Sequence, residues 1–194
     1  MVKRRLDPMK RISVIVFALA LVLLVGCSGG EFPETAVSNY LTAIQSSNFE
    51  NVKKYDENLS IYGEGFNFET TEASELFFDN LSFEIISSSV SSEGKNAIVN
   101  VKITNKDFAS VTLEVFGKIL EDTIAGEKQM SNEEVDKLFE EITHAKHIGF
   151  LTQSVEIILN KTDNGWAIIA SDDLKNAVFG GMISAADEIN SLAN

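Results

Sequence analysis

The sequence predicts an α+β domain, with N-terminal helices packed on an antiparallel sheet and a helical insert in the second half. Three observations carry this. Apolar residues recur at three- and four-residue spacing between 33 and 81, whereas 82–104 and 150–169 alternate with a period of two. Turn chemistry sits inside both alternating stretches, at Ser92-Glu93-Gly94-Lys95-Asn96 and at Asp163-Asn164-Gly165, which joins neighbouring strands as hairpins. Helical and strand segments also come in blocks, helices before strands each time, which is not the β-α-β order of a parallel sheet.

Residues 1–32 precede the domain. Ile12 to Val25 is a run of fourteen residues in which only Ser13 is polar. As a helix it spans about 21 Å, short of the roughly 30 Å of a bilayer core. Lys10 and Arg11 come before it, and Ser28-Gly29-Gly30 rather than a basic cluster comes after. These are the proportions of a signal peptide. Met9-Lys10-Arg11 is an alternative start. Leu24-Val25-Gly26-Cys27 closes the run with the only cysteine of the chain. This motif resembles the bacterial lipoprotein signal. The resemblance implies cleavage between Gly26 and Cys27 and a diacylglyceryl group on the Cys27 sulfur. Two acyl chains suffice for stable anchoring. The expected organisation is a signal peptide over 1–26, a tether over 27–32 and one domain over 33–194. An uncleaved membrane anchor, or a secreted chain with an incidental thiol, is the competing reading.

Within the domain, Pro33 and Glu34 suit the first turn of a helix, whose apolar face is Val37, Tyr40, Leu41 and Ile44. Ser46-Ser47-Asn48 ends it. A short second helix turns Phe49, Val52 and Tyr55 inward. Residues 56–68 read as irregular. Thr70 or Thr71 then caps a third helix running to Asn80, with Leu76 and Phe77 on its inner side. Ser82 to Val90 reads as a strand. Ala97, Val99, Val101 and Ile103 alternate with Ile98, Asn100, Lys102 and Thr104, the clearest half-buried strand of the chain.

Asp107 caps the next helix, Phe108 to Ile124, although Val111, Leu113 and Val115 also fit a strand. Gly126 stops it. Ser131 and Glu134, three apart, are a capping box, and Val135, Leu138, Phe139 and Ile142 form the inner face of the helix that follows. Val155, Ile157 and Leu159 mark another strand. Asn164-Gly165 tolerates positive φ and turns it back into Trp166 to Ile169. Ser171 caps a helix that Gly180-Gly181 ends. Ile183, Ala186, Ile189 and Leu192 make a last amphipathic turn or helix.

Four passages, Ala36 to Leu41, Ala97 to Asp107, Asp163 to Ile168 and Leu174 to Gly181, resemble small Gram-positive lipoproteins with a nuclear-transport-factor-2-like (cystatin-like) domain. The resemblance implies a cone, a curved antiparallel sheet wrapped around helices with a pocket at its wide end. The segment at about 108–147 is a helical insert in that scheme. The likeness lends a fold and a location, the extracytoplasmic face of the bacterial membrane, and no reaction.

Charge narrows the function further. Loss of residues 1–26 removes five basic residues and Asp7, and leaves eleven lysines, no arginine and 28 acidic residues, a net charge of −17. Such a chain does not suit nucleic acid, and it lacks the arginine forks that clamp phosphates. No phosphate loop, nucleophile elbow or zinc signature is present, and no cofactor is implied.

The expected function is therefore a non-enzymatic, membrane-anchored binding module for a peptide, an envelope protein or a small apolar molecule. Its candidate pocket residues are Phe66, Phe68, Phe77, Phe78, Tyr40 and Tyr55. The alternative is an isomerase- or hydrolase-type enzyme using an acid in the cone, with Tyr40, Tyr55, Tyr62 or His144 as candidates. Glu141, His144 and His147, at i, i+3 and i+6, are weak candidates for a metal. Asp163, Asp172 and Asp173 lack the spacing of a calcium loop. Trp166 reads as a sheet anchor.

Overall fold

A computed structural model describes residues 30–63, 71–126 and 128–192. The first helix, α1 (Pro33–Gln45), begins where proline and an acid favour it and buries Ala36, Val37, Tyr40, Leu41 and Ile44. Asn48 opens α2 (Phe49–Lys53) by accepting a hydrogen bond from the Asn51 amide at 3.1 Å. Tyr55 follows that short helix rather than lying on it. One 3₁₀ turn, Ser60–Tyr62, punctuates the stretch expected to be irregular. Helix α3 (Thr71–Phe78) stops two residues before Asn80. Thr70, the other expected cap, lies outside the described residues.

The sheet holds β1 (Ser82–Val90), β2 (Asn96–Lys106), β3 (Phe150–Thr162) and β4 (Gly165–Ile169), in the order 1-2-3-4 with every pair antiparallel. Ala97, Val99, Val101 and Ile103 face inward opposite Leu159, Ile157, Val155 and Gln153. Ile86 is left over in a bulge between Ile85 and Ser87, which bends β1. In the β3–β4 turn Thr162 pairs with Gly165, so Asp163 and Asn164 form the loop. Positive φ falls on Gly165 alone, at 126°, and Asn164 does not share it.

Two helices fill the connection from β2 to β3. Asp107 caps α4 (Phe108–Ala125) by accepting from the Ser110 amide at 3.0 Å, and Gly126 ends it in the left-handed region. This cap settles 108–115 as helix despite its partial alternation. Helix α5 (Asn132–Thr143) carries the full Ser131/Glu134 capping box. After the sheet come α6 (Asp172–Val178), capped by Ser171, and α7 (Met182–Leu192). Of the expected α7 stripe, Ile183, Ala186 and Ile189 are half-buried, and Ile183 packs against the larger core; Ala185 is the buried residue, and Leu192 is 76% exposed. The helix also packs along α4, which adds Ala185 to its inner side.

The core has two lobes. The larger fills the inner side of the sheet with α1, α6 and residues from 52 to 62. The smaller gathers Phe108, Val111 and Val115 of α4 with Ile142 and Ile148. Phe77 and Met182 pack against both lobes and join them. Among the described residues no helix is long and apolar enough to cross a membrane.

Candidate functional site

The sheet's inner side is where a cone would hold a ligand. Tyr40 is fully buried there, and its hydroxyl donates to Asp56 Oδ2 at 3.5 Å. The same carboxylate oxygen accepts from the Ile61 amide at 2.9 Å, so Asp56 closes the 56–62 turn. The Tyr62 ring meets Phe49 and Phe78 edge-on, at 5.3 and 6.0 Å between centroids. Burial, and then the Asp56 charge, push the hydroxyls of Tyr40 and Tyr62 above the usual tyrosine range. Both therefore stay protonated at neutral pH, which suits donors rather than bases.

The aromatic candidates go to packing. Phe78 is fully buried and lies 5.7 Å from Phe179. Phe77 meets Phe108 at 4.9 Å, Phe139 at 5.9 Å and Phe179 at 5.7 Å. Phe77, Phe78 and Tyr40 thus pack against other rings of the described core. Phe66, Phe68, Gly26 and Cys27 lie outside the described residues.

Tyr55 stands apart from this interior. It borders a polar surface depression of about 270 Å³, which Asn39, Thr42, Ser46, Asn51 and Lys54 also line. That is below the range of ordinary small-molecule pockets, roughly 300–1,000 Å³. The Tyr55 hydroxyl donates to Glu31 Oε1 at 3.0 Å, and Asn39 Nδ2 donates to the same oxygen at 2.7 Å. Desolvation, countered by the Asn39 bond and helped by Glu31, raises the Tyr55 pKa. Trp166 Nε1 donates to the Glu31 carbonyl at 2.9 Å. Glu31, expected within a free tether, is thus held by three side chains. Trp166 is buried, as a sheet anchor should be, and Lys161 Nζ rides 4.6 Å above its ring.

The metal candidates separate. Helix α5 ends at Thr143, so His144 is its C-cap and His147 lies beyond it, and the expected shared helical face does not exist. His147 Nε2 sits 2.8 Å from Glu114 Oε2 of α4, in the open. Asp172 and Asp173 occupy the first turn of α6, and Asp163 lies in the hairpin loop. No group of three His, Cys, Asp or Glu among the described residues is arranged to hold a metal.

Among the described residues no helix covers the opposite face of the sheet, whose outward side chains are exposed. Ile98, Ile158 and Ile169 stand side by side across β2, β3 and β4, since Ile98 pairs with Ile158 and Ile158 with Ile169. They are 38%, 41% and 44% exposed. Asn96 and Asn160 flank this row on one side, Asn100 and Glu156 on the other. The sequence carried the signal: Ile98 and Ile158 occupy outward positions that the alternation reserves for polar residues. Compared with known protein families, with curated proteins and with solved structures, the chain matches none.

Proposed function

We propose that this chain is a lipid-anchored, extracytoplasmic module that binds a protein partner through the bare face of its sheet. The observation that carries the reading is the row Ile98, Ile158 and Ile169 with its polar margins. A small apolar centre inside a polar rim is the anatomy of a protein interface. The ring-to-ring packing of Tyr40, Phe77 and Phe78 supports this outer surface over a small apolar molecule held against them. The helix-first order, with helices on one side of a four-stranded antiparallel sheet, supports a nuclear-transport-factor-2-like cone with α4 and α5 as its insert. The anchor rests on Leu24 to Cys27.

Two measurements test the reading. Mass spectrometry of the protein from its own membranes is expected to show an acylated Cys27 as first residue, and an intact leader overturns the anchor. A photo-crosslinking residue at position 158 in living cells is expected to give one discrete adduct. The same residue at Ser154, outward on the same strand but beside Lys102, is expected to give none. Equal labelling at the two positions, or none at 158, overturns the binding face.

A further inference from the structure

The held Glu31 has a consequence for how the domain stands on the membrane. Only Ser28, Gly29 and Gly30 separate it from Cys27. Fully extended, the four steps from Cys27 to Glu31 span about 14 Å. Glu31 is fixed by Trp166, Tyr55 and Asn39, and a Cβ on Gly30 would lie 3.3 Å from Lys161 Nζ. Lys161 and Trp166 flank the β3–β4 turn. The Lys161 amide donates to the Lys95 carbonyl at 2.7 Å, which brings the β1–β2 turn to the same end of the molecule.

The other end belongs to α4 and α5. Strand β3 runs between the two ends, and its 13 residues extend about 40 Å. The ends differ in charge. At the hairpin end Lys95 and Lys161 stand against Glu93, Asp163 and the held Glu31, a net charge of −1, whereas residues 108–147 hold nine acidic residues against four lysines. An anionic leaflet repels the second end far more than the first. The hairpin end also exposes an aromatic ring, since Phe32 follows the held residue and is 68% exposed.

We infer that the hairpin end, with Phe32 and Lys161, lies against the lipid headgroups, and that the acidic α4–α5 end points away from the bilayer. The inference rests on the anchoring reading above. A short tether alone leaves the domain free to roll. Three hydrogen bonds on Glu31 convert the tether into a fixed point of departure, and the charge difference opposes the inverted pose. Phe32 supplies apolar contact of the kind interfacial residues make, and Lys161, whose ammonium lies over the Trp166 ring, adds a positive charge at the same end.

The test uses the protein extracted from its own membranes and placed in nanodiscs of phosphatidylcholine and phosphatidylglycerol that carry a gadolinium-chelating headgroup lipid. Amides of 31, 32 and 34 and of 161–166 are expected to lose intensity, while those of 118–125 and 132–141 keep theirs. Glu31→Ala cuts the bonds to Tyr55 and Asn39, leaves the fold intact and is expected to blur the contrast. Loss at α4 and α5 equal to that at the hairpin end, or an unchanged contrast in Glu31→Ala, overturns the inference. If the extracted protein proves unacylated, the full chain linked through Cys27 to a maleimide lipid gives the same readout. The pose and the native modification thus fail separately.

Discussion

Replacing Gly180 by alanine tests how the two lobes of the core are joined. Gly180 follows α6 with φ at 53°, and its carbonyl accepts from the Ala109 amide of α4 at 3.0 Å. A Cβ built there would lie 1.9 Å from the Lys106 carbonyl oxygen and 3.0 Å from Phe108 Cδ2. The first obstacle is backbone at the β2–α4 junction and cannot rotate away. Three costs add. The left-handed conformation costs an alanine roughly 1–2 kcal/mol. Forced separation in a packed core adds about 1–3 kcal/mol. Loss of the Ala109 bond adds about 1 kcal/mol. The expected total is about 4 kcal/mol, a large part of the roughly 5–15 kcal/mol that holds a domain together. For a chain of this size that lowers Tm by about 8–16 °C. Gly94→Ala is the control. Its φ is 70°, and a Cβ there meets nothing within 4 Å, so it bears the conformational cost alone. Gly181→Ala falls between them: Leu151 Cδ2 at 2.9 Å can turn away, and Ala109 Cβ at 3.0 Å is fixed to its backbone but lies farther off than the Lys106 carbonyl does from Gly180. Urea unfolding followed by Trp166 fluorescence measures all three. A Gly180→Ala unfolding free energy within about 1 kcal/mol of that of Gly94→Ala would refute the reasoning, since the close approach would then carry no weight.

Two further outcomes follow from buried polar groups. Asn105 is fully buried, and its Nδ2 donates to the carbonyls of Val178 at 2.6 Å and Phe77 at 2.9 Å. Asn105→Ala strands both carbonyls, and urea unfolding should show a loss of about 3 kcal/mol. Tyr40 and Tyr62 have folded pKa values raised above the unfolded value of 10. Their contribution is complete below pH 10 and is lost as pH rises above it, because the unfolded chain releases protons that the folded chain must keep. Unfolding midpoints from pH 8 to 11 should fall steeply at the alkaline end for the parent and less steeply for Tyr40→Phe/Tyr62→Phe. Parallel curves would show that these hydroxyls do not govern alkaline stability.

Local chemistry was the legible part of this fold. The alternation of Ala97 to Ile103, the Ser131/Glu134 box and the Asp107 and Ser171 caps each depend on residues within a few positions, and each element forms where they direct. What depends on distant packing was not legible. The burial of Ala185 in α7 follows from packing on α4, some 70 positions away, and the stop of α5 at Thr143 dissolves the shared face of Glu141, His144 and His147. The same limit applies to the candidate site. Spacing nominated Phe77 and Phe78 as apolar, but an apolar ring lines a pocket or fills a core depending on what faces it. Here Phe108, Phe139 and Phe179 face them. The Glu31 to Trp166 bond spans 135 positions, and its one local hint was that a buried indole N–H needs an acceptor.

The binding face and the standing pose constrain each other. Ile158 is four residues from Thr162, the end of β3, so the isoleucine row stands about 13 Å from the hairpin turns. With the hairpin end down, the row looks sideways, along the membrane rather than outward from it. A freely diffusing partner meets the acidic α4–α5 end first and has to descend beside the lipid to reach the row. A partner that is itself held at the bilayer arrives at the right height, and its own anchoring supplies the effective concentration that three exposed isoleucines alone do not. The adduct formed at position 158 should therefore be with a protein that fractionates with membranes. An adduct with a soluble extracellular protein would place the row on the outward side and contradict the pose, even where the face itself proved correct.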